Sequence, residues 1–116
     1  MSLSIKFSAE PVRTTAFGAI ATIGVPEYIG VGTSLERPVR QILIQNQTDV
    51  LLMFSFDGIE DHLPMPSNGY LILDITSNKT LSQGFFLSEG ERLYVRKCTT
   101  NPTVGAAYFT TFYGAE

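Results

Sequence analysis

The chain has 116 residues, 44% of them hydrophobic and only 16% charged, with a net charge of −3 and a single cysteine. That length suits one domain with one core, and one cysteine excludes an internal disulfide framework. Scattered Lys and Arg under a negative balance argue against nucleic-acid binding, and no apolar run reaches the roughly 18 residues of a membrane span.

In chain order, the first residues (MSLSIKFSAEPVR) lack the basic head and apolar middle of a signal peptide. Residues 1–16 are expected to form an N-terminal arm or edge segment, extended at 4–7, ahead of one β-sandwich domain at 17–116. Residues 17–23 (FGAIATI) read as a strand of small residues. Gly24, Pro26, Gly30 and Gly32 then exclude a helix through IGVPEYIGVG, where Tyr28 and Ile29 anchor a loop or short strand. Residues 35–38 lead into a strand at 39–45 (VRQILIQ).

Asn46 to Asp49 supply a polar turn, since short polar side chains satisfy local backbone groups. The next strand, 50–56, is expected to pair with 39–45 across that turn. Val50, Leu52, Phe54 and Phe56 share one face and form its core side, with Leu51, Met53 and Ser55 opposite. Burying one large aliphatic side chain stabilises by roughly 1.5–3 kcal/mol, so Leu51 and Met53 are expected to find a second cover, from the same chain or another subunit.

Asp57-Gly58 makes the next bend. Pro64 and Pro66 limit a short strand at 63–65. Ser67-Asn68-Gly69 reads as a hairpin turn into a strand at 70–75, with polar punctuation at 77–79. Short strands follow at 85–87 and 91–97, and a long one at 104–113. There, Ala107, Phe109, Thr111 and Tyr113 oppose Ala106, Tyr108, Thr110 and Phe112, so both faces carry aromatic area. Seven to nine short strands without crossover helices imply an all-β protein, an antiparallel β-sandwich with a jelly-roll-like fold or small barrel as alternatives.

Chemistry-bearing motifs are sparse. DGIEDH at 57–62 holds three acids and the lone His62. It has neither the alternating ligands of an EF-hand loop nor a tetrahedral zinc pattern, and reads as an exposed turn with Asp57 capping backbone N–H groups near Gly58. Glu60 and Asp61, as sequence neighbours, do not form the opposed carboxylate pair of a glycosidase. Asp74 and Cys98 read as a solvent-facing acid and a small apolar residue at a strand end. The glycines match no phosphate loop. No catalytic residue, metal or cofactor is assigned.

The pattern RQILIQNQTDVLLMFSFDG…GYLILDITSNK…GFFLSEGERLYVRK…AAYFTTFYG, spanning residues 37–114, resembles small virion structural proteins of tailed bacteriophages. The resemblance implies a β-sandwich subunit of capsid, head-to-tail connection or tail, made in the bacterial host cytoplasm and partnered by copies of itself and other virion proteins. Phe54, Phe56, Asp57 and Gly58 resemble its hairpin and bend. Leu93, Tyr94 and Val95 match the penultimate strand, and Phe109, Phe112 and Tyr113 the closing one. The expected interface residues are Leu51, Met53, Tyr28, Tyr108 and Tyr113, with structural turns at Asn46, Asp49, Asp57, Gly58, Asn68 and Gly69. Two other readings compete: a carbohydrate- or receptor-binding tail module using Tyr28 or Tyr108, and a hydrolase built on the acidic loop.

Overall fold

A computed structural model describes residues 6–74 and 90–115. The expected strand at 85–87 and the polar stretch at 77–79 lie outside the described residues. In chain order the elements are β1 (Lys6–Ala9), β2 (Arg13–Ala16), α1 (Phe17–Thr22), β3 (Ile29–Gly30), β4 (Gln41–Asn46), β5 (Leu52–Ser55), β6 (Leu63–Met65), β7 (Tyr70–Asp74), β8 (Tyr94–Lys97) and β9 (Ala106–Ala115). The protein is all-β: two antiparallel sheets pack face to face. Sheet A runs β1-β9-β4-β7, with β2 also paired to β9, and sheet B runs β3-β8-β5-β6.

Alternation explains which side chains meet between the sheets. From sheet A come Ile42, Ile44, Ala107 and Phe109; from sheet B come Leu52, Phe54 and Val95; all are buried. Val50 and Phe56 are partly buried and pack against this cluster. Val39 is buried as well, although simple alternation puts it on the opposite face from Ile42 and Ile44. The bend at Arg40 breaks the period, so β4 starts only at Gln41.

Two expected hairpins are absent. β4 pairs with β7 and β9, whereas β5 pairs with β6 and β8. The chain therefore crosses between sheets at 47–51, and crosses back between β6 and β7 at 66–69. The turn chemistry is present, since Asn68 holds a positive φ of 62°, but a polar turn serves a corner between sheets as well as a hairpin.

Asn46 fixes both corners. It continues the inward phase of Ile42 and Ile44 and is fully buried. Its Nδ2 donates to Val50 O (2.9 Å), Met65 O (2.9 Å) and Pro66 O (3.1 Å). Its Oδ1 accepts from Thr48 N (3.0 Å) and Thr48 Oγ1 (2.6 Å). Ser67 Oγ donates to Thr48 O at 2.6 Å, joining the corners directly. Gly105 has φ +90°, and a Cβ there would stand 1.8 Å from Gln47 O, so the approach to β9 presses its backbone against this corner.

The expected strand at 17–23 is a correction. Its first six residues form α1, which offers one buried side chain, Ile20, to the core. Phe17 N–H bonds Gly105 O, and Lys97 Nζ donates to Ala21 O at 2.8 Å, so tertiary partners complete both ends. A strand of FGAIAT would give each face too little apolar bulk to pack.

Residues 6–16 pair along β9 on the side away from β4, interrupted at Pro11. There Glu10 and Arg13 are buried as an ion pair of 2.8 Å. Arg13 also donates to Thr33 O, Ser34 O and Thr111 Oγ1, tying the edge to the 31–35 loop.

Candidate interaction surface

The outward positions of sheet A follow from its register. Tyr70 stands beside Gln45, Gln45 beside Tyr108, and Tyr108 beside Thr14. The next row is Ile72, Leu43 and Thr110. The third is Asp74, Gln41 and Phe112, with Ala9 beyond. Tyr70 is 68% exposed and Ile72 64%, while Leu43, Tyr108 and Phe112 are half-buried. Among the outward positions of β4, β7 and β9, Asp74 is the one charged residue, and it accepts from Gln41 Nε2 at 3.3 Å. The result is a broad, almost uncharged face carrying aromatic and aliphatic groups.

The structure disperses the five expected interface residues. Tyr108 lies on this outer face. Tyr113 turns inward, packs against the core and carries the Arg37 guanidinium over its ring, 4.5 Å from the centroid. Met53 is half-buried on the outer side of sheet B, between Arg96 and Pro64 in the register. Leu51, 46% exposed, borders an open cleft of about 300 Å³ that also includes Asp49, Cys98 and Thr100. Tyr28 is half-buried and donates its hydroxyl to Asp61. Tyr70, Ile72 and Leu43 were not singled out as contact residues. The available signal was period-two alternation on 70–74, which marks Leu71 and Leu73 as core and leaves a tyrosine and an isoleucine outside.

The acidic loop is held by its own polar groups. Asp57 Oδ1 accepts from Ile59 N (2.8 Å) and Glu60 N (2.9 Å). These bonds, that from Glu60 first, lower its pKa to about 2. Gly58, at φ +77°, lies against the Tyr94 ring. His62 Nδ1 accepts from Phe56 N at 3.0 Å. Asp61 pairs with Arg96 at 2.9 Å, and this bond, ahead of that from Tyr28, holds its carboxyl below the usual range. Burial and then the bond to Asp61 push Tyr28 up to about 12. Asp57, Asp61 and His62 thus fasten this loop and the Tyr28 loop onto sheet B. Among the described residues, no group of three His, Cys, Asp or Glu side chains is placed to hold a metal ion.

Asp49 binds Thr103 through both backbone N–H and hydroxyl, which lowers its pKa. Its role is to hold the 98–103 loop against the first corner. No helix is long and apolar enough to cross a membrane among the described residues. Compared with known protein families, curated proteins and solved structures, the chain matches none.

Proposed function

We propose that this chain is a non-enzymatic structural subunit of a tailed-bacteriophage virion, made in the host cytoplasm and fastening neighbouring capsid, head-to-tail or tail proteins. The observation that carries the reading is the outer face of sheet A, with Tyr70 and Ile72 exposed beside Leu43, Tyr108 and Phe112. The resemblance of residues 37–114 to small virion proteins supplies the biological setting.

Magnitude favours a repeated contact over a solitary one. With strands about 4.8 Å apart and same-face residues about 6.8 Å apart, four strands by three rows cover roughly 400 Å². A stable pair of proteins buries about 800 Å² on each partner. This face alone gives a modest contact, and repetition around a ring or shell turns modest contacts into firm attachment.

The test is incorporation. Particles from the host that expresses the chain are expected to contain it in a fixed copy number, and Tyr70→Asp with Tyr108→Asp is expected to fold yet lose incorporation. A chain present in the lysate and absent from purified particles would refute the reading. A second reading is favoured by the Tyr70–Gln45–Tyr108 row: stacking rings beside an amide suit a sugar. Glycan binding lost in Tyr108→Ala, with incorporation intact, would select that tail-module function instead.

A further inference from the structure

We propose that β7 is a docking edge for a second copy of this chain, pairing antiparallel with its own counterpart about a two-fold axis at Ile72. This specifies the copy-to-copy contact of the structural-subunit reading and rests on it only for the role of the pair.

Among the described residues, four edges flank the two sheets, and three are blunted in ways that suppress strand addition. β6 carries Pro64 in its centre, and β3 is two residues long. The β1–β2 edge is interrupted at Glu10-Pro11-Val12. β7, YLILD, has no proline, no glycine and no Lys or Arg. It is the terminal strand of sheet A among the described residues.

Its backbone is oriented for such a pairing. Asn46 N–H bonds Gly69 O at 2.9 Å, and Gln47 N–H bonds Ala106 O at 2.9 Å. Bonded and unbonded residue pairs alternate along an antiparallel ladder. Even-numbered residues of β4 therefore bond towards β7 and odd-numbered ones towards β9. Through the register Ile44↔Leu71 and Ile42↔Leu73, Leu71 and Leu73 direct their backbone groups to β4. Those of Tyr70 and Ile72 point to the side on which no described strand pairs.

The sequence is self-complementary about Ile72. In the two-fold register Ile72 meets Ile72 of the second copy as a bonded pair, and Leu71 meets Leu73. The leucines continue the inner layer, where both already pack against the core. The isoleucines, 64% exposed in the single chain, cover each other on the outer layer. Asp74 already accepts from Gln41, and the pairing does not depend on its carboxylate. Asp74 is the one charge on β7 and in this register stands opposite Tyr70 of the second copy rather than its own counterpart, and the outward rows of β4 are neutral.

The test uses the full chain with Cys98→Ser and one introduced cysteine. A bonded antiparallel pair sets its Cα atoms about 5.5 Å apart, inside the range that a disulfide spans. Ile72→Cys is expected to form a disulfide-linked dimer at least about tenfold faster than Thr110→Cys, which lies mid-face and away from the edge. Wild-type chain is expected to dimerise on sedimentation. Ile72→Pro is expected to remain monomeric, because it removes the outward N–H and leaves the bonds to β4. Preferential linkage through Thr110→Cys would overturn the pairing in favour of stacked faces. A strictly monomeric chain with no Ile72→Cys dimer would overturn it too, as would a dimer unaffected by Ile72→Pro. Particle incorporation by such a monomer would leave the structural-subunit reading standing, so the two fail separately.

Discussion

Replacing Asn46 by Ala tests whether one buried amide holds the two sheet crossings that place β7 and its outer face. The substitution removes the contacts to Val50, Met65 and Pro66 carbonyls and to the Thr48 N–H and hydroxyl. A hydrogen bond contributes about 0.5–1.5 kcal/mol net, and an orphaned buried group costs about 1–3 kcal/mol. The three carbonyls share two N–H bonds, and the exposed side of the corner regains water, so the expected loss is about 4 kcal/mol. That is a large part of the roughly 5–15 kcal/mol that holds a domain together. With about 2.1 cal/mol/K of unfolding entropy per residue, it lowers Tm by roughly 16 °C. Urea unfolding at neutral pH measures the loss directly. Asn46→Asp is expected to cost at least as much, since it sets a carboxylate against three carbonyls. A loss below about 1 kcal/mol for Ala would refute the reasoning, because the corner would then be held by something other than this network.

Other outcomes follow from the same geometry. Arg13→Met leaves the buried Glu10 carboxylate with only the partly exposed Arg37, 3.5 Å away at its Nε, as an ion-pair partner. It is expected to cost about 3 kcal/mol in urea unfolding, and adding Glu10→Met should recover part of that by removing the stranded charge. Gly105→Ala is expected to destabilise by about 2 kcal/mol or more through positive-φ strain and collision with Gln47 O. Gly90→Ala, with φ +91° and open space among the described residues, carries the strain without the collision and should cost less in the same assay. Asp57 has its pKa lowered from 3.8 to about 2, so its capping contribution is complete above 3.8 and fades as pH falls towards 2. Carboxyl NMR titration should find that low midpoint, with Ile59 and Glu60 amides losing protection in step; a midpoint near 3.8 would contradict the capping account.

The strands were legible where alternation is strong. Period alone marks Leu52 and Phe54 as inward; it sets Ile42 with Ile44, and Ala107 with Phe109, on shared faces but leaves open which face of those two strands turns inward. Alternation gives a face and leaves the partner open, which is why β4 and β5 read as a hairpin although they belong to different sheets. One signal was present: Asn46 falls in the inward phase of β4, and a polar residue at a core position marks a place where backbone must be satisfied. The α1 segment was hidden because FGAIAT has weak preferences, and contacts from Gly105 and Lys97, some 80 residues away, decide it. The outer face of sheet A was half legible. Tyr108 was expected from the two-faced aromatic strand, while Tyr70 and Ile72 join it only through pairing in β7-β4-β9 order. Tyr28 looked available from sequence, and its hydroxyl is held by Asp61 across 33 residues.

The most direct test of the account is a cryo-EM map of the native assembly that contains this chain, at a resolution that shows side chains. The account predicts Tyr70, Ile72, Leu43 and Tyr108 covered by a neighbouring protein at every equivalent position. A map in which those side chains face solvent in all copies, with attachment through sheet B, would contradict it.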